Sequence, residues 1–162
     1  MIGLGNALRG DDAAGLEVAA RLSEEPGIAV QAHDGEALDL LERWRGAGAI
    51  VLVDAVRSGA AAGTIHRIDA SAEPVPQTLR RASSHTIGIA EAIELARTLG
   101  ELPERVIVYG VEGARFDAGA GLSAAVAGAL ESLTEAVISE ARSLVRVRDS
   151  VTKSRAPGSP PT

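Results

Sequence analysis

An α/β three-layer sandwich is the fold class predicted by this sequence: a mostly parallel, twisted sheet of about five strands with helices on both faces. Three observations predict it. Short apolar runs alternate along the chain with segments of helical periodicity, the pattern of successive βα units. One run, AIVLVDAV at 49–56, is almost continuously apolar, as a central strand buried on both faces must be. Aromatic residues make up only 2% of a chain that is 46% hydrophobic, so the core is built from Ala, Val, Leu and Ile.

Taken in order, Ile2 to Leu4 starts a strand, and apolar residues from Ala13 to Leu22 recur at helical spacing behind Asp11-Asp12. IAVQAH at 28–33 alternates as a strand does, and EALDLLERW at 36–44 places Leu38, Leu41 and Trp44 on one helical stripe. The strand at 49–56 follows. GTIHRIDA at 63–70 alternates around Ile65 and Ile68 and reads as an edge strand, and the Pro-containing stretch 71–82 reads as a loop. Ser83-Ser84 can cap a helix from about Thr86 to Leu99, ended by Gly100. RVIVYGV at 105–111 supplies the last strand, and an amphipathic helix from about Leu122 to Val147 closes a single domain spanning 1–147. The remainder, 148–162, is polar, rich in Pro and Ser and without periodicity, and is expected to be disordered.

A length of 162 residues suits one domain with one sizeable core. With 16 Lys and Arg against 22 Asp and Glu, the formal charge of −6 disfavours a nucleic-acid partner. Cysteine is absent, which excludes disulfides, thiolate ligands and a cysteine nucleophile. No uninterrupted apolar stretch approaches membrane-spanning length and no signal-peptide pattern opens the chain, so a cytoplasmic protein without a membrane partner is expected.

The chain opens MIGLGNALRGDDAAG, with Gly3, Gly5 and Gly10 ahead of Asp11-Asp12. The dinucleotide fingerprint needs a third glycine where Leu8 stands, and two carboxylates at a helix start repel a pyrophosphate. The glycines therefore serve a tight turn that presents a carboxylate to a cleft. Helix capping is the alternative use of Asp11 and Asp12, and one Asp suffices for it. Asp54 ends the apolar run VLVD, where a carboxylate is costly unless paired, hydrogen-bonded or metal-bound. Its alternative role is a buried acceptor for loop N–H groups. Of the three histidines, His85 in SSHTIG opens a predicted helix, whereas His66 lies within a strand and His33 at a strand end. Asp12, Asp54 and His85 each follow a strand or open a helix on the same edge of the predicted sheet. Together they form an O/O/N set suited to a divalent first-row ion.

GLGNALRGDDAAG, Asp34-Gly35, VDAV around Asp54, SSHTIG around His85 and YGVEGARFDAGAGLSAAV at 109–126 resemble, in order and spacing, the hydrogenase maturation endopeptidases, over about residues 2 to 145. The resemblance implies an endopeptidase of aspartic type that removes a C-terminal extension from the large-subunit precursor of a nickel-iron hydrogenase once nickel is installed. It implies that Asp12, Asp54 and His85 contact that nickel, which the substrate supplies, with Asp12 and Asp54 catalytic and no organic cofactor. Whether the three residues engage the substrate's metal directly or position an attacking water is left open. Relatives usually carry several apolar residues before the G-x-G-N turn; here only Met1 and Ile2 precede Gly3, so either the true start lies upstream of Met1 or the fold tolerates a first strand reduced to a stub. A monomer is expected. Two other functions compete: a peptidyl-tRNA hydrolase-like enzyme, whose first strand also ends in G-x-G-N, and a metal-dependent hydrogenase chaperone that binds the precursor without cutting it.

Overall fold

The computed structural model describes residues 1–34, 37–76 and 89–154. The described elements are β1 (Ile2–Leu4), a 3-10 turn (Gly10–Ala13), α1 (Ala14–Leu22), β2 (Gln31–His33), α2 (Ala37–Trp44), β3 (Ala49–Val56), β4 (Ile65–Asp69), α3 (Ile89–Leu99), β5 (Arg105–Glu112) and α4 (Ala124–Ser154). The five strands form one sheet in the order β2-β1-β3-β5-β4. Every pairing is parallel except the antiparallel one between β4 and β5, so the predicted mostly parallel sheet is present with β4 at its edge.

Side-chain alternation along the central strands builds two cores, one on each face. Ile50, Leu52, Val106 and Val108 face α2 and α3, where they meet Leu40, Leu41, Trp44 and Ile93. Val51, Val53, Ile107 and Val111 face α1 and α4, where Val18, Leu22, Val126, Leu130, Leu133 and Val137 cover them. The spacing of Val126, Leu130, Leu133, Val137 and Ala141 is the single apolar stripe that docks one side of a long helix on a sheet. α1 comes especially close: a Cβ added at Gly15 would overlap the carbonyl oxygens of Leu4 and Val53, and one added at Gly3 would overlap the carbonyl oxygen of Gly15. Gly3 is therefore a packing residue and not part of the turn that follows.

β1 has three residues and pairs on both sides, with Gln31–His33 and with Leu52 and Val53. Of the predicted strand 28–33 only 31–33 is strand, the residues in register with Ile2, Gly3 and Leu4. The closing helix departs from expectation at its end. It runs to Ser154, through seven residues assigned above to a disordered tail. Polarity misled there, since Arg148 to Ser154 carries neither Gly nor Pro and nothing in it interrupts a helix. No helix among the described residues is long and apolar enough to cross a membrane.

Candidate active site at the carboxyl edge of the sheet

From β1 the chain moves through α1, on one face, to β2; it then passes back through α2, on the other face, to β3. The two crossovers diverge between β1 and β3, and the crevice at such a switch point is where open α/β sheets bind ligands. The turn after β1 and the end of β3 deliver Asp12 and Asp54 to this place.

The turn is fixed by its own backbone. Gly5 N–H donates to the His33 carbonyl (3.1 Å), Asn6 N–H to the Asp12 carbonyl (3.2 Å) and Asp12 N–H to the Arg9 carbonyl (3.1 Å). Asn6 Oδ1 accepts from Leu8 N–H at 2.9 Å. Gly5 has φ 138°, and a Cβ there would occupy the place of the Asp12 carbonyl oxygen. Gly10 has φ 56° and would meet the Arg115 carbonyl in the same way. Both glycines are required by left-handed backbone and by close approach. Gly5→Ala is thus expected to displace the Asp12 backbone and lower stability by about 1–3 kcal/mol, measured by urea unfolding.

The adjacent acids divide their roles. Asp11 is fully buried, and its carboxylate accepts Ala114 N–H (2.7 Å), Arg115 N–H (2.9 Å) and Ser123 N–H (2.6 Å). Burial alone would push its pKa up, but the N–H groups of Ser123, Arg115 and Ala114 hold it below the usual carboxylate range. Neither acid caps a helix: the residues preceding the 3-10 turn and α1 are Arg9 and Ala13, without side-chain capping bonds. Asp11 instead fastens the loop 113–123 across the sheet edge.

Asp12 is buried too, at 3% exposure, and its charge acts on Asp54. Asp54, at 6% exposure, receives one hydrogen bond, from Ala55 N–H (2.8 Å). Burial, reinforced by the Asp12 charge, pushes its pKa up to about 8. Near neutrality the two carboxyl groups therefore hold a proton that an isolated Asp would have released.

Sequence reasoning missed Glu112. It ends β5 as Asp54 ends β3, and pleat alternation puts both on the α2/α3 face, with Asp54 opposite Gly110 and Val56 opposite Glu112. Its surroundings differ completely. Ser58 N–H (2.8 Å), Gly59 N–H (2.9 Å) and Ser58 Oγ–H (2.8 Å) donate to it, and His66 Nε2 lies at 3.3 Å. Burial raises its pKa, and the Ser58 hydroxyl, Gly59 N–H and His66 more than offset that, leaving it below the ordinary value. The sequence signal, a carboxylate terminating an apolar run, was the same as for Asp54. His33 is likewise occupied, its Nε2 lying 2.8 Å from Asp39 Oδ2. His33 and Asp39 line an open cleft of about 460 Å³ together with Gly5, Asn6, Asp34 and Arg43.

Asp12 and Asp54 are thus brought together, while His85 lies outside the described residues. Among the described residues, no group of three His, Asp or Glu is placed to hold a metal ion. His85 stands four positions before Ile89, the first residue of α3, and α3 packs on the sheet face to which Asp54 belongs.

Fold and site define a doubly wound α/β domain whose distinguishing chemistry is a buried pair of acids at the switch point. Its sequence matches the family described as HycI, hydrogenase maturation protease, over residues 21–140. The chain belongs to the hydrogenase maturation protease family. It is 30% identical over 121 residues to the hydrogenase expression/formation protein HupD of Thiocapsa roseopersicina, an alignment covering 72% of this chain and 55% of that protein. The HupD of Rhodobacter capsulatus is 29% identical over 143 residues, covering 85% of this chain and 68% of its own. The chain thus spans little more than half the length of the first of these relatives. In structure it is similar to the hydrogenase maturating endopeptidase HybD from E. coli, with a TM-score of 0.73 and 26% identity over 88% of this chain and 90% of that one. The [NiFe] hydrogenase maturation protease HybD from Thermococcus kodakarensis shares the fold, with a TM-score of 0.66 and 21% identity over 86% and 96% of the two chains.

Proposed function

We propose that this protein is an endopeptidase that removes the C-terminal extension of a nickel-iron hydrogenase large-subunit precursor after nickel insertion. The observation that carries this reading is the contrast among the buried carboxylates of one sheet edge. Asp11 and Glu112 are ionised and satisfied by three or more protein groups, as structural carboxylates are. Asp54 has one backbone donor and a like-charged neighbour, an arrangement that raises the free energy of the empty site and is relieved by a cation. On this reading the cation is nickel carried by the substrate. Two carboxylates and an imidazole, Asp12, Asp54 and His85, suit it as a hard-to-borderline donor set.

On this reading the protein is indifferent to the nickel-free precursor, because only a metal-loaded subunit offsets the cost of ionising Asp54 beside Asp12. Nickel acts as a Lewis acid when the complex forms. The chain's own contribution is positional: the Gly5–Ala13 turn holds Asp12 and β3 holds Asp54, whose proton would pass to solvent as the metal-loaded subunit binds.

Substitutions at Asp12 test this directly. Asp12→Glu retains a carboxylate beside Asp54 and is expected to keep processing, read as the electrophoretic shift of the large subunit. Asp12→Ala is expected to abolish it with the melting temperature within a few degrees of the parent. Wild-type processing by Asp12→Ala overturns the proposal.

A further inference from the structure

Three loops at the carboxyl edge each contribute one arginine: Arg9 from the β1 turn, Arg57 immediately after β3, and Arg115 after β5. They are brought together on the α1/α4 side. Gly10 N–H donates to the Ala120 carbonyl (3.1 Å), Asp11 N–H to the Arg115 carbonyl (2.7 Å) and Gly119 N–H to the Leu8 carbonyl (2.8 Å), which binds the loop carrying Arg9 to the loop carrying Arg115. Arg57 joins them by lying over the ring of Phe116, 4.1 Å from its centroid. Phe116 itself is buried in the core beneath α1 and α4.

Two of the guanidinium groups are held in place without being neutralised. Stacking fixes the plane of Arg57, which stays exposed to solvent. The Arg115 side chain donates to the carbonyls of Gly121 (3.1 Å) and Leu122 (3.2 Å) and is also exposed. Six arginines elsewhere are paired with carboxylates: Arg43 with Asp39, Arg45 with Glu42, Arg67 with Glu140, Arg97 with Glu94, Arg105 with Asp69 and Arg142 with Glu25. Among the described residues, Arg9, Arg57 and Arg115 enter no such pair; Arg21 on α1 enters none either, but the three share one sheet edge, where Asp11 is held by backbone N–H groups and Asp117 is exposed on the Arg115 loop. In a chain of net charge −6, three unpaired arginines from three separate loops at one edge are a concentration of cations that folding alone does not require.

We infer that Arg9, Arg57 and Arg115 form a docking surface for a carboxylate-rich segment of the protein substrate, beside the Asp12–Asp54 pair and on the opposite face of the sheet edge. The inference rests on the peptidase reading for the identity of the partner as a polypeptide. Arginine suits carboxylates because its planar fork donates two parallel hydrogen bonds, and a fork already fixed by stacking or backbone carbonyls loses less freedom on binding. The peptidase reading, which makes the partner a polypeptide, favours a carboxylate-rich segment over a nucleic-acid strand of similar charge.

Fluorescence anisotropy with labelled hexaglutamate as the probe tests this on the full chain. Hexaglutamate is expected to bind saturably at low salt and to weaken as salt is raised. Arg57→Glu/Arg115→Glu is expected to weaken binding about tenfold or more. Arg45→Glu, which reverses one charge at the opposite edge of the sheet as each of Arg57→Glu and Arg115→Glu does singly, is expected to leave it unchanged. Melting curves accompany each variant, and Arg57→Gln and Arg115→Gln carry the test singly if the double variant does not fold. Unaltered affinity in the arginine variants, an equal loss in Arg45→Glu, no binding by the parent, or tighter binding of labelled oligothymidylate than of hexaglutamate overturns the inference. Hexaglutamate binding requires no cleavage, so failure of the arginine surface and failure of the peptidase reading appear in different assays.

Discussion

Asp54→Asn is expected to abolish processing of the large subunit while making the metal-free protein more stable at alkaline pH. The activity change should reach about a thousandfold or more, the scale on which removal of one member of a catalytic unit is felt. The stability change follows from the proton on Asp54. Its pKa in the fold is about 8, above the value near 4 of an exposed Asp, because burial and the Asp12 charge disfavour the carboxylate. The folded state therefore binds this proton more tightly than the unfolded state. The stability so gained is complete below about pH 4 and is lost as pH rises through about 8. Asn is neutral and nearly isosteric, so it avoids a penalty on the order of a few kcal/mol above pH 8 and has little to avoid at pH 5. Thermal melts of both proteins between pH 5 and 9 should show the gap opening with pH. An Asp54→Asn protein less stable than the parent at pH 9 would mean that Asp54 is a structural acceptor after all.

Asp11→Ala should behave in the opposite way. The carboxylate accepts three backbone N–H groups, at 2.7, 2.9 and 2.6 Å, from a loop more than a hundred residues away. Removing it strands buried donors, each costing about 1–3 kcal/mol, and frees the loop 113–123 from the sheet edge. A loss of about 3–5 kcal/mol in urea unfolding is expected, together with loss of hexaglutamate binding, since Arg115 and Phe116 ride on that loop. Asp11→Asn should recover only part of the stability, because an amide offers one acceptor atom where three donors converge. A loss below about 1 kcal/mol would contradict the role assigned to Asp11.

These two variants also mark how far the sequence is legible. β3 and β5 were readable because strands buried on both faces must be continuously apolar, and Asp54 was conspicuous as a carboxylate ending such a run. Asp11 and Asp12 were indistinguishable as neighbours in sequence. What separates them is the set of amides of Ala114, Arg115 and Ser123, which no local pattern reveals. Glu112 carried the same signal as Asp54 and was passed over, and only its donors on Ser58, Gly59 and His66 show it to be structural. The end of α4 was misplaced because polarity was read as disorder where nothing broke the helix. The pairing of Arg57 with Phe116 joins two loops that are sixty residues apart in sequence and neighbours only through the register of β3 and β5.

Intact-mass spectrometry of the large-subunit precursor, purified with and without nickel and incubated with this protein, addresses the proposed activity most directly. The account predicts a single C-terminal truncation of the nickel-loaded subunit and an unchanged mass for the nickel-free form. Equal cleavage of both forms would contradict the role given to the Asp12–Asp54 pair, and stable binding of the nickel-loaded precursor with no loss of mass would show a chaperone in place of a peptidase.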